Sequence, residues 1–510
     1  GTSFTWNQLT DRVKRIAHSL AQMGVKRGDR VAVMLQNMPA FWDVQFAVWW
    51  LGAIVVPINI MYRDAELRHH LTDSGATVVV ALDSVADRVV GIQSDTGVTT
   101  IIGVPDAFDL TGSRPSVIPD TVPVSGAVPY GDLLKASPLS DPPASVGLDA
   151  VAYLNYTSGT TGVAKGAMNT HRNVMVNAEV YVRWTQMGPG DVNVVFAPLF
   201  HITGSISGIA ASVYAGIPAV LLYRFEPGLA LEAIQRHRGT FTVGSITTYL
   251  AMLNHPRLES TDLSSFIKAY SGGAPVSPAT VERFRQATGQ YIYNVYGLTE
   301  STSPATMVPW RTPARVDPAS GALSVGVPVP GLDARIVKLD DPEQDEIYGV
   351  PGQLLLKGPQ IVPGYWNRPA ETAKSRMDDW FLTGDVATMD ADGWIYIVDR
   401  LKDMIVASGY KVWPREVEDV LYQHPAVREA TVVGVPDPYR GETVKAFVAL
   451  RDDVAMPTPD DLIQYVRTHL AAYKVPREID IVSEVPKTAS GKFLRRVLRE
   501  QERAKMQESS

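Results

Sequence analysis

The chain has 510 residues, 45% of them hydrophobic, 20% charged and 8% aromatic, which is enough to bury several cores. Lys and Arg (47) against Asp and Glu (54) leave a net charge of −7, without the basic footprint of a nucleic-acid binder. The absence of cysteine excludes disulfides, thiolate metal sites, Fe–S clusters and a cysteine nucleophile, and a reducing cytoplasmic setting fits it.

Leu9, Val13, Ile16, Ala17, Leu20 and Met23 recur at helical spacing until Gly24, and Val31–Leu35 follows as a strand. Pro39 opens a second helix running to Leu51, ahead of the apolar run Ala53–Val56. A third helix near Ala65–Leu71 stops at Gly75, before the strand Thr77–Ala81. Near-continuous apolar strands alternating with helices predict an α/β architecture with parallel strands covered on both faces. Between Gly103 and Val146, Pro, Ser, Asp and Gly dominate, the mark of a linker or of a long excursion within one domain.

Beyond Val151 further strands are predicted at Val192–Phe196, Ala219–Leu222 and Tyr291–Val295. A strand-rich stretch follows, with Leu323–Val327, Ala334–Val337 and Gln353–Leu356. After Asp399 comes a smaller mixed unit with strands Ala430–Val435 and Val444–Leu450 and a helix around Asp460–Leu470. Two uncharged stretches, Val44–Tyr62 and Ile202–Tyr223, are split by Pro57 and by Gly204, Gly208, Gly216 and Pro218. Their pieces are too short to cross a hydrocarbon core of ~30 Å, so no transmembrane segment is expected. The chain opens Gly1-Thr2-Ser3 without an initiator Met, as a trimmed N-terminus would, and shows no secretory signal.

Chemistry concentrates first in Tyr156-Thr-Ser-Gly-Thr-Thr-Gly-Val-Ala-Lys-Gly166, directly after the apolar run Val151–Leu154. Glycines let backbone N–H groups converge, hydroxyls add donors, and Lys165 adds charge, which together suit a polyphosphate. No G-x-x-x-x-G-K-[ST] register fits, so this is not the Walker pattern.

This segment resembles the signature loop of the adenylate-forming superfamily, which includes acyl-CoA synthetases, peptide-synthetase adenylation domains and firefly luciferases. Five more segments agree in the same order. Ser271-Gly-Gly-Ala-Pro275 and Asn294-Val-Tyr-Gly-Leu-Thr-Glu300 resemble the adenine and magnesium motifs, and Trp380-Phe-Leu-Thr-Gly-Asp385 the ribose motif. Asp399-Arg-Leu-Lys-Asp403 resembles the interdomain hinge and Pro486-Lys-Thr-Ala-Ser-Gly-Lys492 the C-terminal lysine loop. The resemblance implies a large N-terminal domain, residues 1–399, of α/β layers plus a β-rich part. A small mobile α+β domain, residues 400–510, would follow.

By the same resemblance the reaction joins a carboxylic acid to ATP as an acyl-adenylate, releases pyrophosphate, and passes the acyl group to CoA. Thr157, Ser158, Gly159, Thr160, Thr161 and Gly162 would hold the β- and γ-phosphates with Lys165. Glu300, with Thr157, would hold Mg²⁺, and Thr299 would donate to the α-phosphate. Adenine would lie against Tyr296 and Gly273-Ala274-Pro275, near Asn294 and Gly297, with Asp385 and Arg400 at the ribose. Lys492 would stabilise charge at the α-phosphate during adenylation. Lys402 would be the hinge and Ser408 and Gly409 would face the thiol.

Phe200-His-Ile-Thr-Gly204 bears on the acid. No Asp or Glu lies between Asp191 and Glu226 to pair a substrate ammonium, which disfavours an amino acid. His201, Ile202, Gly204, Ser245, Val295 and Gly297 are expected around the acyl group. Ser245, Thr247, Thr248, Ser301 and Thr302 predict a polar pocket, suiting a short or medium acid, branched or hydroxylated. The alternatives are an aryl acid, a longer fatty acid, or a luciferase-type oxygenation of the adenylate. Two departures from the family pattern are Ala164 before Lys165 and a turn one residue longer at Glu300-Ser-Thr-Ser-Pro304. The expected partners are the acid, ATP and CoA, in a monomer or homodimer.

Overall fold

The computed structural model describes residues 2–140, 145–157, 163–318, 320–407, 410–437, 440–451, 454, 456–487 and 493–508. The first helix spans Trp6–Gln22, with Thr5 and Gln8 capping each other at its start and Gly24 turning the chain at φ 91°. The helices Pro39–Trp50 and Asp64–Ser74 and the strands Arg30–Met34, Ile54–Pro57 and Val78–Leu82 fall where apolar periodicity places them, within one to three residues.

Four sheets are present among the described residues. The first orders its strands Val128–Pro129, Thr100–Val104, Val78–Leu82, Arg30–Met34, Ile54–Pro57, Val151–Tyr156, Gly166–Thr170. All neighbours are parallel except the last two, which form an antiparallel hairpin. The segment 103–146 is therefore an excursion and not a linker, because its strand Val128–Pro129 pairs beside Thr100–Val104. The second sheet runs Ala219–Leu221, Asn193–Val195, Phe241–Gly244, Lys268–Gly272, Ile292–Leu298 in parallel, then adds Ser303–Met307 and Val327–Pro328 antiparallel.

A five-stranded sheet with antiparallel pairing follows, built on Gly352–Lys357 and Trp380–Met389. One large apolar core joins these three sheets, whereas residues from Ile405 to Ile479 pack into a separate core around a fourth sheet. The layered α/β body and the small α+β unit match the architecture expected from the sequence.

Two local features depart from it. Leu323–Val327 is not one strand, only Val327 entering the strand Val327–Pro328: Gly326 lies at φ 91°, where a Cβ would fall 2.1 Å from the Met307 oxygen, and Val325 and Gly326 stitch singly to Ile395. The run after His201 contains a π-helix, Gly204–Ala210, where a Cβ on Gly204 would sit 2.1 Å from the Pro198 oxygen. Asn193 caps its loosened carbonyls, reaching Ser207 O at 2.7 Å.

No helix among the described residues is long and apolar enough to cross a membrane. Both parallel sheets direct their carboxyl ends toward one crevice, the usual ligand position in open α/β folds.

Candidate active site

The glycine-rich loop grows from the hairpin Val151–Tyr156/Gly166–Thr170, and Thr157 N donates to Lys165 O at 2.9 Å at its base. Ser158, Gly159, Thr160, Thr161 and Gly162, expected at the phosphates, lie outside the described residues. The helix Asp64–Ser74 braces the base. His69 Nε2 lies 2.8 Å from Ala164 O, and Asp73 accepts from the Tyr156 hydroxyl at 2.8 Å and from Arg368 at 2.6 Å. His70 packs its ring 4.3 Å from that of Tyr156, and burial lowers its pKa to about 4.

Glu300 sits in a 3₁₀ turn, Thr299–Ser301, between the strands Ile292–Leu298 and Ser303–Met307. The extra residue of this turn is absorbed by Thr302 and Ser303 at φ 55° and 89°. Glycine is required at 297, where a Cβ would fall 1.6 Å from Ser303 O.

Buried amides hold the turn. Asn169 reaches Thr299 O at 2.9 Å, Asn177 reaches Ser301 O at 2.8 Å and Thr302 O at 2.6 Å, and the Tyr181 hydroxyl lies 3.0 Å from Ser303 Oγ. Glu300 Oε1 accepts from the Tyr365 hydroxyl at 2.7 Å, and Lys165 Nζ lies 4.4 Å over the Tyr365 ring. Tyr365 thus links Glu300 to Lys165.

At the position expected for the ribose, Asp385 accepts from the Tyr296 hydroxyl at 2.6 Å and pairs with Arg400 at 3.2 Å. Burial and the Asp385 charge push the Tyr296 phenol far up, so it stays a donor. Tyr296 is therefore tied by its hydroxyl to the acid expected at the ribose. Gly273 lies at φ 82° beside the half-buried Ala274 and exposed Pro275. Asn294, expected at the nucleotide, is buried and donates one amide hydrogen bond to Ser324 O at 3.2 Å.

A cavity of about 730 Å³ occupies the crevice between the sheets, lined on its back wall by His201, Thr203, Val243, Ser245, Thr247 and Thr248. Ile202, Gly204, Val295 and Gly297 were expected around the acyl group but are not among the lining residues; Ile202 and Val295 belong to the apolar core behind it. Of the residues predicted to give the pocket a polar cast, Ser245, Thr247 and Thr248 do line it, with part of their hydrogen bonding spent locally. Ser245 Oγ pairs with Thr247 Oγ1 at 2.6 Å, and Thr248 Oγ1 donates to Ser245 O at 2.7 Å. Ser301 and Thr302 are fully buried and turned to Leu298, Ser303 and Asn169. Arg63, Arg88 and Arg224 line the cavity, and no Asp or Glu does.

Around Lys402 the contacts become ionic. Asp399 accepts from Arg415 N at 2.9 Å and from Arg495 at 3.2 Å, and Arg495 also pairs with Glu418 at 2.7 Å. Asp403 pairs with Arg499 at 2.8 Å. Burial pushes Asp403 up, but Arg495, Arg499 and Lys402 outweigh it and its pKa is lowered. Burial, with the charge of Arg400, lowers the Lys402 ammonium to about 8. Ser408, Gly409 and Lys492 lie outside the described residues; the Lys487–Phe493 bridge closes the base of the lysine loop.

Tyr365, Asn169, Asn177 and Arg495 were not found by sequence reasoning. One signal was present: Asn173, Asn177 and Tyr181 recur every four residues on an otherwise apolar helix face, His171–Trp184.

The profile of the family "AMP-binding enzyme" matches residues 1–366, and that of the "AMP-binding enzyme C-terminal domain" matches 416–492. A long-chain-fatty-acid–CoA ligase of Salmonella typhimurium is 37% identical over 99% of this chain and 91% of its own. A feruloyl-CoA synthase of Amycolatopsis sp is 37% identical over 97% of this chain and 93% of its own. Among solved structures, ATP-bound MatB from Rhodopseudomonas palustris superposes with a TM-score of 0.86 at 29% identity, covering 98% of this chain and 94% of that one. The chain thus belongs to the AMP-binding enzymes, the adenylate-forming superfamily of AMP-forming acid–CoA ligases.

Proposed function

We propose that the acid activated here is an apolar one, a medium or long acyl chain or an arylalkenoic acid, and that CoA accepts it. The observation that carries this is the roughly 730 Å³ cavity whose back-wall hydroxyls are already paired with one another and with backbone. The Ser245–Thr247 pair uses one of its two O–H donors and Thr248 spends its own on backbone, so one hydroxyl donor of these three stays open to a substrate. A short hydroxylated acid finds fewer open hydroxyl partners on this wall than its residue types suggest. The names of the fatty-acid and feruloyl relatives agree with the apolar reading.

In the first half-reaction a carboxylate oxygen attacks the α-phosphorus, the bond to the β-phosphate breaks, and pyrophosphate leaves. Two anions must meet, so positioning and charge cancellation dominate the barrier. Lys165 and the glycine-rich loop are assigned to the β- and γ-phosphates, Thr299 to the α-phosphate, Asp385 and Arg400 to the ribose, and Lys492 to the charge that builds up.

Glu300 suits a divalent cation: Tyr365 holds one carboxylate oxygen, which leaves the other free to ligate. Among the described residues no cluster of three carboxylates or histidines offers a complete protein cage, so phosphate oxygens and water would complete the shell, as Mg²⁺ prefers. When held by Glu300, that ion would shield the phosphate charge.

In the second half-reaction the thiol sulfur attacks the acyl carbonyl, the thiol proton is lost, and AMP leaves. His201 stands on the cavity wall where acyl group and thiol would meet. Arg63, Arg88 and Arg224 make the crevice positive, which favours an anionic acid and a phosphorylated acceptor. Residues 1–399 and 400–510 are assigned as the two domains, with Lys402 as the hinge and Ser408–Gly409 at the thiol.

A matched acid series tests the reading. Octanoate, dodecanoate and ferulate should each exceed 3-hydroxybutyrate in kcat/KM for CoA-dependent AMP release by about a hundredfold, the worth of burying several methylenes. A preference for the hydroxylated short acid would refute it.

A further inference from the structure

Tyr365 lies in a strap, residues 358–368, laid across the hairpin that carries the glycine-rich loop. The strap is held at four points. Met168 N donates to Gly364 O at 3.0 Å, Trp366 N to Gly166 O at 2.8 Å, Val362 N to Glu300 O at 2.9 Å, and Tyr365 N to Thr372 Oγ1 at 3.0 Å. Only 6% of Tyr365 is exposed, so its ring and hydroxyl have one setting.

That setting puts a neutral side chain between two opposite charges. Lys165 Nζ lies over the ring at 4.4 Å, and the hydroxyl donates to Glu300 Oε1 at 2.7 Å. Left to themselves, a lysine and a glutamate this close would form an ion pair, cancelling the cation and occupying the carboxylate. Among the described residues no ion pair joins them.

We infer that Tyr365 is a positioning residue that keeps Lys165 and Glu300 apart, so that the lysine meets phosphate and the glutamate meets the divalent cation. The ring holds the ammonium by a cation–π contact without neutralising it. The hydroxyl fixes one carboxylate oxygen and leaves the other open. This inference rests on the ATP-and-cation reading of the site.

The test separates ring from hydroxyl and reads binding, not turnover. Full-length wild type, Tyr365→Phe and Tyr365→Leu are titrated with Mn²⁺ by electron paramagnetic resonance in the presence of α,β-methylene-ATP, which cannot be cleaved at the reacting bond. The analogue's affinity at saturating Mn²⁺ is measured by calorimetry. Tyr365→Phe should weaken Mn²⁺ about tenfold, the worth of one hydrogen bond to a charged group, and leave the analogue's affinity at saturating metal unchanged. Tyr365→Leu should weaken Mn²⁺ equally and the analogue by a further severalfold.

Unchanged Mn²⁺ affinity in Tyr365→Phe, or identical behaviour of the two variants in both titrations, would overturn the inference. Should wild type itself fail to bind Mn²⁺ with the analogue, the reading of the site would fall together with it. Thermal unfolding of each variant guards against a fold defect, and the near-isosteric Phe variant keeps the test open if the Leu variant unfolds.

Discussion

The Glu300 turn and the junction around Lys402 are both largely buried, yet they are held by different chemistry. Around Glu300 the backbone is gripped by neutral groups, Asn169, Asn177 and Tyr181, each spending its hydrogen bonds on a carbonyl or hydroxyl of the turn. Around Lys402 the grip is ionic: Asp399, Asp403 and Glu418 face Arg495 and Arg499. A neutral brace leaves Glu300 and Lys165 as the charges available to an incoming polyanion. An ionic clasp carries few methyl contacts and can exchange partners, which suits a segment assigned to rotation.

Removing the centre of the clasp should have the largest effect. Arg495→Met leaves Asp399, Glu418 and Asp403 buried with fewer countercharges, and breaking such a pair costs about 3–5 kcal/mol. Urea unfolding followed in the small unit, around the core from Ile405 to Ile479, should show that loss while the large core keeps its midpoint. A uniform shift of both would contradict separate cores.

Acidification tests the brace beneath the loop. His70 is depressed to about 4 by burial, with one ring nitrogen lacking a partner. Its folded pKa lies below that of an unfolded histidine, so the unfolded chain takes up the proton first. Stability present above pH 6.5 is lost as pH falls toward 4, by up to about 3 kcal/mol. Stability curves against pH should lose this acid limb in His70→Phe; an unchanged limb would assign it elsewhere.

Asn177→Ala deletes two hydrogen bonds to the Glu300 turn and should cost about 2 kcal/mol in kcat/KM for ATP. Because the brace is neutral, that loss should not vary with salt. The smallest expected effect sharpens the contrast: 0.5 M salt should alter the balance of the two half-reactions in Asp399→Asn less than in wild type, since screening acts on what remains of the clasp.

The sequence made the helices and parallel strands of the first sheet legible because their cores repeat with helical period or as unbroken apolar runs. Lys165, Glu300, Asp385 and Arg400 were legible as motif residues; the structure links Lys165 and Glu300 through Tyr365 and pairs Asp385 with Arg400. What held them was not legible. Tyr365 stands in a strap rich in Pro and Gly with no periodicity, and its value comes from crossing a hairpin about 200 residues earlier in the chain. Arg495 and Asp399 are separated by 96 residues. Ser245, Thr247 and Thr248 do line the cavity as expected, but composition cannot show that Ser245 pairs with Thr247 or that Thr248 donates to backbone. The π-helix after Thr203 gave no signal beyond its small residues.

The most direct measurement is product mass spectrometry of wild type and Lys492→Ala given Mg-ATP and an apolar acid, with and without CoA, and separately given synthetic acyl-adenylate with CoA. Wild type should yield acyl-adenylate without CoA and acyl-CoA with AMP when CoA is present. Lys492→Ala should lose adenylate formation by about a hundredfold or more while still converting supplied adenylate to acyl-CoA. Adenylate that wild type never transfers to CoA, or equal loss of both half-reactions in the variant, would contradict the account.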